Sequence, residues 1–102
     1  MGAIIESSDR SDVNESSFVS GTITVGTSVV EAKVGVSRLA SRQYLSIHNN
    51  GPLTIYVGPS DVTTSSGRPI FRDQSIDIPV GDLGIYLVSG QAGNTVVVQE
   101  LG

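Results

Sequence analysis

Residues Arg42 to Gly58 read Arg-Gln-Tyr-Leu-Ser-Ile-His-Asn-Asn-Gly-Pro-Leu-Thr-Ile-Tyr-Val-Gly. Leu45 and Ile47 alternate with Tyr44, Ser46 and His48, and Leu53, Ile55 and Val57 alternate with Thr54 and Tyr56. Successive side chains of a strand point to opposite faces, so this period of two predicts two strands, each with one buried and one open face. Between them, Asn49-Asn50-Gly51-Pro52 marks a reversal. Asn-Gly favours a positive φ, and Pro52 suits a strand start that needs no donor. The expectation is a hairpin of Tyr44–Asn49 with Leu53–Val57.

The same signal extends to both sides. Upstream, Ile23 and Val25 alternate with Thr22 and Thr24, and Val30, Ala32, Val34 and Val36 alternate with Glu31 and Lys33. Downstream of a polar loop from Gly58 to Gly67 come Pro69-Ile70-Phe71, then Ile76, Ile78 and Val80 alternating with Ser75, Asp77 and Pro79. Pro79 predicts an edge position or the last residues of that strand. Ile85 to Val88 and Thr95 to Leu101 complete the series, with Gly81-Asp82-Leu83-Gly84 and Ser89 to Asn94 as turns. Val88 and Val97 place apolar groups on the second face too, as central strands or a subunit interface require.

Composition agrees. Among 102 residues there are 14 Val, 9 Ile and 7 Thr, against 4 Ala and 6 Leu. Branching at Cβ stiffens χ1 and suits pleated strands over helices. The reading is all-β: a small β-sandwich or jelly-roll-like domain of seven or eight short antiparallel strands over residues 20–102. Residues 1–19 differ, being rich in Ser, Asp and Glu, and predict an extended N-terminal arm that either frays or docks on a neighbouring subunit. MGAIIESSDR has neither the basic start nor the apolar core of a secretory signal.

Several chemistries find little support. The formal net charge is −4 and no basic stripe is present, which counts against nucleic-acid binding. Apolar runs are too short for a helical membrane span. With no cysteine there is neither a thiolate zinc site nor a cysteine nucleophile. His48, the single histidine, is expected in a surface or cross-strand hydrogen bond. Asp73 with Asp77 does not form a convincing acid–base pair, and Ser60, Asp61, Thr63 and Thr64 do not reproduce a calcium loop. No catalytic residue, metal or cofactor is assigned. Candidate assembly contacts are Ile4, Ile5, Val13 and Phe18 of the arm, with Arg38, Arg42, Arg68 and Arg72. Arginine forks onto carboxylates or lies over rings, so these four suit contact with an acidic arm of another copy. Tyr44, Tyr56 and Tyr86, each opposite the apolar positions of its strand, are candidate ligand-facing aromatics for sugar stacking.

The run Arg42 to Gly51 with Thr54 to Gly58 resembles small virion structural proteins of tailed bacteriophages. The later stretches Gly67–Ile70, Ser75–Val80, Gly84–Val88 and Thr95–Glu100 resemble them too. The resemblance spans roughly residues 20–101 and is one of strands and turns rather than a chemical signature. It implies a β-sandwich or jelly-roll-like module without catalytic residues, located in the virion. The expected role is capsid decoration or cementing, as a homo-oligomer (a trimer for three-fold shell positions) bound to the major capsid or other virion proteins. A collar, head–tail joining or tail-fibre component is one alternative, and a carbohydrate or host-surface binding module is another.

Overall fold

The structure, a computed structural model, describes residues 18–102. Eight strands occur in it: β1 Phe18–Val25, β2 Val30–Glu31, β3 Tyr44–Asn49, β4 Ile55–Gly58, β5 Arg68–Ile70, β6 Ser75–Pro79, β7 Tyr86–Ser89 and β8 Asn94–Leu101. All pairings are antiparallel, in two four-stranded sheets of order β1-β8-β3-β6 and β2-β7-β4-β5. The pairs β4·β5, β3·β6, β2·β7 and β1·β8 are the rungs of one folded ribbon, taken alternately by the two sheets. That nesting is the jelly-roll plan. The domain is all-β, as the alternation and β-branched composition predicted.

The core lies between the sheets. Val25, Leu45, Ile47, Val96 and Val98 project from the first sheet against Ile55, Val57, Ile70 and Leu87 of the second. Most of these side chains are fully buried, at about 1.5–3 kcal/mol for each large apolar side chain removed from water. Proline falls on edges, Pro79 in β6 and Pro69 in β5, where a missing donor breaks no ladder.

Four local expectations are corrected. β3 and β4 do not form a hairpin, because they belong to different sheets, and the one pairing of consecutive strands is β4 with β5. Gly51 is not among the residues with positive φ. Its role is close approach: a Cβ there would collide with the side-chain amide of Asn94, whose Cγ would lie 2.6 Å away. The strand expected over residues 30–36 is only Val30–Glu31. Beyond Glu31 the backbone is satisfied differently, Ala32 N by Ile85 O and Val34 N by the Glu100 carboxylate. Gly35 then turns at φ 81°, leaving Val36 in solvent. At the N-terminus, β1 begins at Phe18, so the last two residues assigned to the arm belong to the sheet. The arm anchors Ile4, Ile5 and Val13 lie outside the described residues.

Candidate functional site

Antiparallel strands run back and forth, so each loop falls at one of two ends of the sandwich. The end where Phe18 enters and Leu101 leaves also carries the β2–β3, β4–β5 and β6–β7 loops. On the outer face of the first sheet, the registers align Phe18 of β1, Leu101 of β8, Tyr44 of β3 and Pro79 of β6 as one rung across all four strands. The next rung inward is polar, Ser20–Gln99–Ser46–Asp77, and the following one is Thr22–Val97–His48–Ser75. Apolar groups on this face are therefore concentrated at the terminal end. Phe18 and Tyr44 are 52% and 51% exposed, and Leu101 37%. Between Tyr44 and Leu101 lies a shallow depression of about 410 Å³, bordered also by Leu45, Ser46, Asp77 and Gln99.

Two loops at this end add exposed apolar tips, Val36 at 95% and Leu83 at 66% exposure. They are held by a buried ion pair. Arg42 Nη1 donates to Glu100 Oε2 at 2.7 Å, Nε to Gly81 O at 2.9 Å and Nη2 to Leu83 O at 2.7 Å. Glu100 also accepts Val34 N at 2.9 Å and Leu39 N at 3.3 Å. The two side chains are 1% and 0% exposed, so β8 clasps the β2–β3 and β6–β7 loops through a fully partnered charge pair. Ser41, at φ 58°, adopts the left-handed conformation just before Arg42. Arg42 is consequently no surface contact: every nitrogen of its fork has a partner within the domain, and the sequence expectation is corrected. Glu100 was missed because it reads as the polar position of an alternating strand, whereas β8 turns it inward level with Leu45.

Arg38 is tied within its own domain, to the Glu31 carboxylate and to Asp82 Oδ1 and O at 3.1 Å. The hydrogen bond to Glu31, then that to Asp82, raises its pKa above the ordinary guanidinium value. Lys33 shares the same glutamate at 3.6 Å. Arg68 on β5 and Arg72 after it remain exposed, Arg72 beside Asp73 at 3.9 Å. The arginines thus split between internal ties and open surface.

The tyrosines do not share a face. Tyr44 lies on the outer side of the first sheet, whereas Tyr56 and Tyr86 lie on the outer side of the second. No single face therefore presents all three rings for sugar stacking: neighbouring strands switch sheets, so the same in-strand parity points to opposite sides of the sandwich. Around Tyr56, the β4–β5 loop folds back over the second sheet. It buries Val62 against Gly58 and Gly67, while Val88 beneath this face is 5% exposed. A depression of about 340 Å³ beside Tyr56, edged by Leu53, Thr54, Thr64, Ser89, Gly90 and Gln91, offers one aromatic ring.

At the opposite end of the sandwich a second polar clasp stands. Asn94 Nδ2 donates to Asn49 Oδ1 at 2.9 Å, and Asn49 Nδ2 donates to Leu53 O and Ile70 O at 2.7 and 2.9 Å. Asn94 Oδ1 accepts Leu53 N at 2.9 Å, and Asn49 Oδ1 accepts Gly51 N at 3.1 Å. His48 Nδ1 pairs with Ser75 Oγ at 2.6 Å across β3·β6, the cross-strand role expected of it. Thr63 spends its hydroxyl on the amides of Ser65 and Ser66, within its own turn. Among the described residues no three His, Asp or Glu side chains gather as a metal site requires. Neither a protein-family model nor a curated protein sequence matches the chain.

Proposed function

We propose that the chain is a non-enzymatic structural protein of a tailed-bacteriophage virion, acting by attachment. The place we assign it is the capsid surface, as a homo-oligomeric decoration or cementing protein on the assembled shell. The virion context rests on the likeness of Arg42–Gly58 and the later strands to small phage structural proteins. The observation that carries the attachment reading is the apolar rung Phe18–Leu101–Tyr44–Pro79 at the end of the sandwich that also exposes Val36 and Leu83. The Arg42–Glu100 clasp and the ties of Arg38 to Glu31 and Asp82 hold that end in shape before any partner arrives, which lowers the ordering cost of binding. Covering half-exposed side chains of this size contributes about 1 kcal/mol each, too little for one copy alone. Repetition on a symmetric shell converts such modest contacts into firm attachment.

Cosedimentation with undecorated heads tests this. Wild-type protein should saturate the heads, and Tyr44→Lys combined with Leu101→Asp, whose opposite charges face each other across β3·β8, should lose attachment while keeping its melting transition. Full attachment of the double variant would remove the rung from the site, and no attachment of wild type would remove the capsid assignment. Copy number then separates the alternatives, since a shell takes on the order of hundreds of copies and a collar or tail ring about six or twelve.

A further inference from the structure

The two sheets have four edges, and three are blunted. β2 is two residues long, β5 is three residues with Arg68 and Pro69, and β6 carries Asp77 and Pro79. Short length, charge and proline are the devices by which edge strands avoid pairing with other chains. β1, the fourth edge, has none of them. It runs eight residues as Phe-Val-Ser-Gly-Thr-Ile-Thr-Val, without a charge or a proline, and pairs with β8 on one side alone among the described residues. The core is also open along it: Val19 and Ile23 face inward yet are only partly buried, whereas Val96 and Val98 on the neighbouring strand are fully buried.

The sequence of β1 says what fits there. Inward positions are Val19, Gly21, Ile23 and Val25, and outward positions are Phe18, Ser20, Thr22 and Thr24. Reversed about Gly21, the strand matches itself: Val19 meets Ile23, Ser20 meets Thr22, and Gly21 meets Gly21. An antiparallel pairing must join residues of the same face, and this register does so from Phe18 to Thr24, setting Val19 against Ile23 on the core side and, outside, Ser20 against Thr22 with Phe18 against Thr24 at each end. A two-fold contact needs one self-complementary patch, and an uncharged strand brings no like charges together although the chain carries a net −4.

We infer that β1 is a homotypic docking edge, joining two copies antiparallel about Gly21 into a continuous eight-stranded sheet. The inference stands on the fold and the strand sequence, independently of the virion reading. Its symmetry is two-fold, so a closed trimer on three-fold shell positions would be built from a different surface.

Light scattering on the full-length protein is the first test, and twice the 10.6 kDa chain mass is expected. In the inferred register, Ser20→Lys with Thr22→Lys places lysines directly opposite one another. These side chains point outward, so the fold should survive while dimerisation weakens about tenfold or more. Ser20→Asp with Thr22→Asp should behave alike, and mixing the two variants should restore a heterodimer through opposite charges. Alternate amides of β1, those facing away from β8, should gain exchange protection as wild-type concentration rises. A monomer up to the solubility limit, with or without concentration-independent protection from residues 1–17 of the same chain, overturns the inference. A trimer, undiminished pairing of the lysine variant, or failure of the mixture to associate overturns it as well.

Discussion

Replacing Arg42 by Met tests whether the ion pair with Glu100 organises the terminal end of the sandwich. Methionine fills similar length but leaves the Glu100 carboxylate with only the Val34 and Leu39 amides, at 2.9 and 3.3 Å. The carbonyls of Gly81 and Leu83, freed at the same time, belong to exposed residues and can turn to water. The main cost is therefore the stranded buried carboxylate, about 3–5 kcal/mol. With a urea m-value near 1.5 kcal/mol/M, typical for this size, the midpoint should fall by about 2–3 M. Glu100→Leu should cost a similar amount by stranding Arg42. The double variant should cost less than the two losses added, with a coupling of about 2 kcal/mol or more, since removing both charges strands neither. Domains of this kind are stable by only about 5–15 kcal/mol, so Glu100→Gln is a milder companion, expected to lose about 1.5–3 kcal/mol. Equilibrium urea unfolding followed by far-ultraviolet circular dichroism reads all four. An Arg42→Met midpoint within about 0.3 M of wild type at equal m, or strictly additive losses, would refute the clasp.

Gly51→Ala should lower stability by about 1–3 kcal/mol, because its Cβ displaces the Asn94 amide and breaks the Asn49–Asn94 network; an unchanged melting temperature would contradict the close approach. Ile47→Asp should abolish cooperative melting, since it sets an unpaired charge at a fully buried position between the sheets; a native-like transition would place Ile47 on the wrong face. Removing residues 1–17 should leave the β1–β8 domain folded by thermal melting but weaken its cosedimentation with heads. Equal attachment of the shortened and full-length proteins would take the arm out of the contact.

How far the chain could be read depends on the range of the forces concerned. Alternation at Leu45 and Ile47, at Ile55 and Val57, and at Ile76 and Ile78 is local, because one strand imposes its own period of two whatever it pairs with. The strand inventory, the edge placement of Pro79 and the His48 contact within the exposed rungs were legible for that reason. Partner choice is not local. Asn49-Asn50-Gly51-Pro52 has the composition of a hairpin turn, yet burying both asparagine side chains of the Asn49–Asn94 pair makes it a corner between sheets. Glu100 likewise looks like an ordinary outward polar residue until β8 is set between β1 and β3 and the β2–β3 loop closes over it.

By itself the sequence determined an all-β domain, most of its strand segments and the inward apolar residues of β3, β4 and β6, since side-chain branching and alternation act over a few residues. Only the tertiary structure decided which sheet each strand joined. With that came the burial of Arg42 against Glu100, the separation of Tyr44 from Tyr56 and Tyr86, and the alignment of Phe18, Leu101, Tyr44 and Pro79 into one rung. The reason is that these groups lie far apart along the chain and meet through ladder registers set by the whole folded ribbon, which no short stretch of residues encodes.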